Sequence, residues 1–160
     1  MDTSIQSARD WFRDIYLRGI PFLLRQNDTA FLSFLCVVSA TDALSGYRYE
    51  GEANRMPDFV RTYFPDKYKE HAENLYLFRC RMLHNFSPAH FSVVHAMPEL
   101  HLQHSSVGDT VLDDGTFFSD MSIAAEKYFE EMEASAELQA IMLCRLQNAQ
   151  RGGSIFVART

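Results

Sequence analysis

The sequence predicts a mainly α (α+β) domain: a helical bundle with a small antiparallel β-meander inserted before the C-terminal helix. Three observations carry this reading. Apolar residues recur every three or four positions through most of the first 85 residues, with Gly or Pro at the breaks. Over residues 91–118 the pattern shortens to alternation, rich in Phe, Val, Leu and Thr. From residue 119 onward the helical period returns.

The first helix carries Ile5, Ala8, Phe12 and Ile15 on one stripe, and Gly19 and Pro21 kink or end it. Asn27 or Asp28 caps a second helix through AFLSFLCVVSA to about Leu44, with Gly46 as its stop. The apolar run Ala30–Ala40 is short of the ~20 residues that span a bilayer, so it reads as a buried helix. GYRYEGEANR has the composition of an exposed loop. Pro57 and Asp58 open a short helix that Pro65 breaks, and Asp66 opens another that Ser87-Pro88 ends. In that last helix Tyr68, Ala72, Leu75, Tyr76 and Met82 or Leu83 should face inward; the helix, which also bears Phe78, has more apolar positions than one stripe requires, which points to a homodimer burying its end.

Residues 91–95 and 100–104 read as strands. Residues 110–112 and 116–118 flank Asp113-Asp114-Gly115, a turn-forming sequence suited to a hairpin. Ser119 or Asp120 then caps a long helix bearing Ala125, Tyr128, Met132, Ala136, Leu143 and Leu146, stopped by Gly152-Gly153. The tail SIFVA adds a last strand.

At 160 residues the chain is expected to be a single domain, residues 1–160, large enough for its own core. A net charge of −6 lowers the expectation of generic nucleic-acid binding, whose footprint is basic, and leaves only a local patch. Cys36, Cys80 and Cys144 are scattered and odd in number, which reads as reduced thiols in a cytoplasmic protein. The N-terminus lacks the pattern of a secretory signal.

Six histidines raise a metal site, but their spacing does not place ligands on one strand face, and Cys80 with His84 has no second pair of zinc spacing. No metal and no cofactor is expected. There is no G-x-S-x-G and no glycine-rich phosphate loop. The remaining chemistry is in LYLFRCRMLHNFSP, where Arg79, Arg81 and His84 close a helix. Basic residues in a last turn are favoured by the helix dipole and need no function. On an ideal helix Arg79 and His84 stand about 140° apart, whereas Arg81 and His84 are neighbours. Geometry by itself does not choose between the two arginines.

Arg79-Cys80-Arg81-Met82-Leu83-His84 resembles the Arg-x4-His motif of the HEPN superfamily, and ATDALSGY, FVRTYFPDKY and LYLFRCRMLHNFSP resemble bacterial HEPN-like proteins over roughly residues 30–95. The resemblance implies a HEPN-like bundle, a homodimer with a composite cleft, and metal-independent cleavage of RNA in bacterial defence or stress. It casts His84 in proton transfer and Arg79 on the scissile phosphate, with Arg81 and Asn85 as substrate contacts and Asp42 and Cys80 supporting Arg79. The chemistry is coherent, since histidine titrates near neutrality and arginine presents a permanent fork to phosphate. Phe86 stands where toxin members carry an adenylylated tyrosine. The alternative is a non-catalytic HEPN-like module that binds a nucleotide or a regulatory protein.

Overall fold

The computed structural model describes residues 2–51 and 54–149. Their order is α1 (Thr3–Phe12), α2 (Ile20–Leu23), α3 (Asn27–Arg48), α4 (Arg55–Tyr63), α5 (Ala72–Asn85), β1 (Phe91–Val94), β2 (Thr110–Asp113), α6 (Asp114–Ala134) and α7 (Ala136–Ala149). The domain is mainly helical, with one two-stranded sheet among the described residues.

The helical breaks follow from local chemistry. A π turn at Arg13–Leu17 joins α1 to α2. A Cβ on Gly19 would stand 2.1 Å from the Ile15 carbonyl oxygen, so this wide turn closes only on glycine. Pro65 ends α4 and admits a 3-10 turn, Asp66–His71, before α5. Gly46 does not stop α3, which continues to Arg48; Arg145 of α7 lies against this bare stretch and donates to the Gly46 carbonyl at 3.0 Å.

Helix α3 is the central element, packed on α4, α5, α6 and α7. By length and composition it is apolar enough to cross a membrane, although half of that window is buried inside the domain. Its buried Ser33, Thr41 and Ser45 donate to carbonyls of their own helix, so no hydroxyl is stranded. An aromatic chain runs through the core: Phe34 meets Phe78 and Phe117, Phe78 meets Phe91, and Phe117 meets Phe64 and Tyr68. Phe78 and Met82 belong wholly to this core, so the helix's surplus of apolar positions is taken up at least in part inside the domain.

The expected antiparallel meander does not form. β1 and β2 pair in parallel, Phe91 opposite Thr110 and Val94 opposite Asp113. Residues 100–104 are not a strand; a 3-10 turn, Pro98–Leu100, leads into a loop that touches β2 through an antiparallel bridge between His104 and Thr110. The expected hairpin turn is instead the start of α6. Asp113 accepts from the Thr116 N–H and the Thr116 hydroxyl, each at 2.8 Å, which caps the helix six residues before Ser119. Asp-Asp-Gly serves a turn or an N-cap equally well, and the buried stripe Phe117, Met121, Ala124, Ala125 and Tyr128 decides for the helix. The long C-terminal helix is broken at Ser135, whose hydroxyl accepts from the Leu138 N–H at 3.3 Å. Gly152-Gly153 and the SIFVA strand lie outside the described residues.

Candidate functional site: an arginine pair sharing one carboxylate

Asp42 lies in the C-terminal half of α3 and faces α4 and α5. Arg79 of α5 donates to it at 2.8 Å, and Arg55 at the start of α4 approaches its other oxygen at 3.6 Å. Arg55 gains its place from Asn54, which takes the left-handed conformation (φ 56°) as the chain turns into α4. Two guanidinium groups therefore share one carboxylate, an excess of one positive charge in a chain of net −6. Arg55 Nη1 and Arg79 Nε are buried and have no acceptor among the described residues. Such N–H groups cost roughly 1–3 kcal/mol each when left unpaired, and functional sites are one place where that cost is tolerated.

These groups line a pocket of about 270 Å³ with Asn54, Met56, Pro57 and Tyr76. Tyr76 was expected inside, yet it is half exposed on the pocket wall, one turn before Arg79. The adjacent Cys80 side chain is the main cause of its raised pKa. For Arg79 burial acts to lower the pKa, and Asp42 with Cys80 more than offsets it, so the net direction is up. The site holds a permanent cation.

The structure thus brings Arg79, Asp42 and Cys80 together. It leaves Arg81, His84 and Asn85 on the outer surface, with no hydrogen-bonded side-chain partner among the described residues. Helix α5 stays regular through Asn85 and ends on Phe86 in the left-handed conformation (φ 52°), so no unwinding carries His84 round to Arg79. Beside His84 in the chain, Leu83 and Phe86 are exposed. Arg55 and Tyr76 were missed in the sequence. Arg55 ends a stretch that reads as solvated loop, and no local signal marks it.

A second polar cluster lies beneath the sheet. The His101 Nδ1 accepts from the Asp113 N–H at 3.1 Å, which puts its proton on Nε2, facing the Tyr68 hydroxyl at 2.7 Å. Tyr68 donates onward to Asp120 at 2.9 Å, and Lys67 reaches the same oxygen at 2.7 Å. Burial, then the charge on Asp120, drives the Tyr68 pKa strongly upward; burial, then Lys67, pushes that of His101 down. Nearby, Asp114 holds the His95 Nδ1 at 2.7 Å and Asp113 accepts the Met97 N–H at 2.8 Å. His101 is buried and His104 exposed, but as loop residues rather than on two faces of a strand. Among the described residues no group of three or more His, Cys, Asp or Glu side chains is arranged to hold a metal ion.

The class the fold and site define is a mainly helical domain with a pocket lined by two arginines that share one carboxylate. No family model, no curated protein and no solved structure matches this chain.

Proposed function

We propose that this chain is a HEPN-like protein acting on RNA, a homodimeric and metal-independent endoribonuclease whose Asp42–Arg55–Arg79 pocket receives the scissile phosphate. The observation that carries this reading is the pair of partly buried arginines with one carboxylate between them and, among the described residues, one buried N–H-bearing nitrogen on each without an acceptor. Phosphate oxygens are the acceptors that geometry invites, and the charge excess stabilises the additional negative charge of a pentacovalent phosphate. Cleavage forms a bond from the ribose 2′-oxygen to phosphorus and breaks that to the 5′-oxygen. The proton leaves the 2′-hydroxyl and a proton reaches the 5′-oxygen, with imidazole as carrier. His84 is turned away from Arg79 in its own chain, so a second copy has to bring its His84 to this pocket. The exposed Leu83 and Phe86 beside it are apolar surface suited to such a contact.

Incubation of the pure protein with RNA in EDTA tests the reading. The expected products carry 2′,3′-cyclic phosphate, a substrate with 2′-deoxyribose at the cut is inert, and His84→Ala loses about 10²–10⁴-fold in rate. One specific observation favours a second reading: the outward position of His84 suits a non-catalytic module that binds a nucleotide or RNA phosphate. That reading predicts binding abolished by Arg55→Ala and Arg79→Ala, untouched by His84→Ala, and no cleavage of any RNA.

A further inference from the structure

The pocket at Arg79 does not stand alone. Asp42 and Arg55 also form the wall of a second pocket of about 380 Å³, lined further by Ala43, Gly46, Tyr47, Arg145 and Asn148. The two share a wall and repeat a set of side chains. The first offers Arg79, Tyr76 and Asn54; the second offers Arg145, Tyr47 and Asn148; Arg55 stands between. One arginine, one tyrosine and one asparagine make a set for one nucleotide: a fork for phosphate, a ring for a base to stack on, and an amide for a base edge. Three arginines against a single carboxylate is also the reverse of the whole chain, where 21 acidic side chains outnumber 15 basic ones. Alone, the first pocket is smaller than the ~300–1,000 Å³ that small-molecule sites occupy, whereas the two together fall within that range. Arg145 is already oriented, since its Nε donates to the Gly46 carbonyl, and its remaining guanidinium N–H groups have no acceptor among the described residues.

We propose that the paired pockets bind two consecutive nucleotides of single-stranded RNA, with Arg55 on the phosphate that joins them and Arg79 and Arg145 on either side. This rests on the reading of the first pocket as a phosphate site. It makes the substrate a single strand, because both tyrosines need unpaired bases.

Calorimetric titration of the intact chain with uridine 5′-monophosphate and with 5′-phosphorylated uridine dinucleotide, its first ribose 2′-O-methylated to block cleavage, tests it. The dinucleotide should bind about tenfold tighter or more, the gain expected from one added stacked base and phosphate contact. Arg145→Ala should erase that gain, so that the dinucleotide binds no tighter than the mononucleotide. Because Arg145 also joins α7 to α3, Asn148→Ala is the companion variant; its side chain is exposed, and it should reduce the gain without changing the melting temperature. Equal affinity for the two probes overturns the two-nucleotide proposal alone, as does an Arg145→Ala variant that weakens both probes alike or neither. Failure of both probes to bind overturns the phosphate site as well.

Discussion

At Asp42 two arginines share a carboxylate and each keeps an N–H without an acceptor among the described residues, at the wall of a pocket. Beneath the sheet, the side chains of Tyr68, His101, Asp113, Asp114 and Asp120 are at least as well buried, yet none of their fully buried polar atoms lacks a partner. The residue types overlap and the separations in sequence are similar. What differs is completeness. A satisfied network holds elements in place, and here it clamps residues 95–101 and β2 onto α5's approach and α6. An unsatisfied one is informative where it lines a pocket, as at Arg55 and Arg79; the Tyr128 hydroxyl also lacks a partner among the described residues, but it is sealed in the core. The comparison assigns structure to the histidine-rich region, which drew attention in the sequence, and leaves the proposed ligand site to Arg55 at the start of α4, which did not.

The largest test of that division is Asp113→Ala. Its carboxylate caps α6 through Thr116 and also takes the Met97 N–H at 2.8 Å. Losing a cap costs about 1 kcal/mol and stranding a buried N–H a further 1–3, so unfolding in urea should show a loss of about 3 kcal/mol. Binding of uridine monophosphate under folded conditions should be unaffected. A loss below about 1 kcal/mol would mean the network is not the clamp described.

Tyr68→Phe comes next. The ring stays in the core, and only the hydroxyl between His101 and Asp120 goes. That leaves a nearly buried imidazole N–H without its partner, for about 2 kcal/mol by the same measurement. Asp120 still has Lys67.

The same comparison shows what the sequence could disclose. Helix breaks were legible at Gly19, Pro65 and Ser87-Pro88 because glycine and proline act on their own backbone. Asp113-Asp114-Gly115 was misread because the local chemistry of a turn and of an N-cap is the same, and burial of Phe117 and Met121, a tertiary matter, chooses. The parallel pairing of β1 with β2 was hidden for a like reason: alternation specifies a strand, never its partner. At the candidate site Arg79 and Asp42 stood out through the motif resemblance, while Arg55 carried no signal. It lies 24 positions from Arg79 and 13 from Asp42, and folding alone unites them.

A third test uses protons. Burial first, and Lys67 second, hold the His101 pKa below the ordinary value of 6.5, against the opposing charges of Asp120 and Asp113. The folded protein therefore refuses a proton that the unfolded chain accepts. Stability from this group is intact above pH 6.5 and is lost as pH falls from there through the folded-state value. Midpoints of urea unfolding between about pH 7 and pH 5 should fall less steeply in His101→Asn than in the wild-type chain. Parallel curves would mean that His101 accepts its proton in place.

The smallest expected effect belongs to the pocket. Arg79→Met keeps the aliphatic stem and removes the charge, and Arg55 still faces Asp42 at 3.6 Å. Pairs this exposed contribute about 0–1 kcal/mol, and the variant also removes the unpaired Arg79 Nε, so stability should change by less than about 1 kcal/mol in either direction. Asp42→Asn should cost more than Arg79→Met, because it removes the one carboxylate between two guanidinium groups and leaves like charges facing each other. Inorganic phosphate added to Asp42→Asn should restore part of that loss by supplying the missing negative charge, and should do little for Arg79→Met. If instead Arg79→Met were as damaging as Asp113→Ala, the arginine pair would be a structural network like the one beneath the sheet, and the case for a ligand at Asp42 would fall with it.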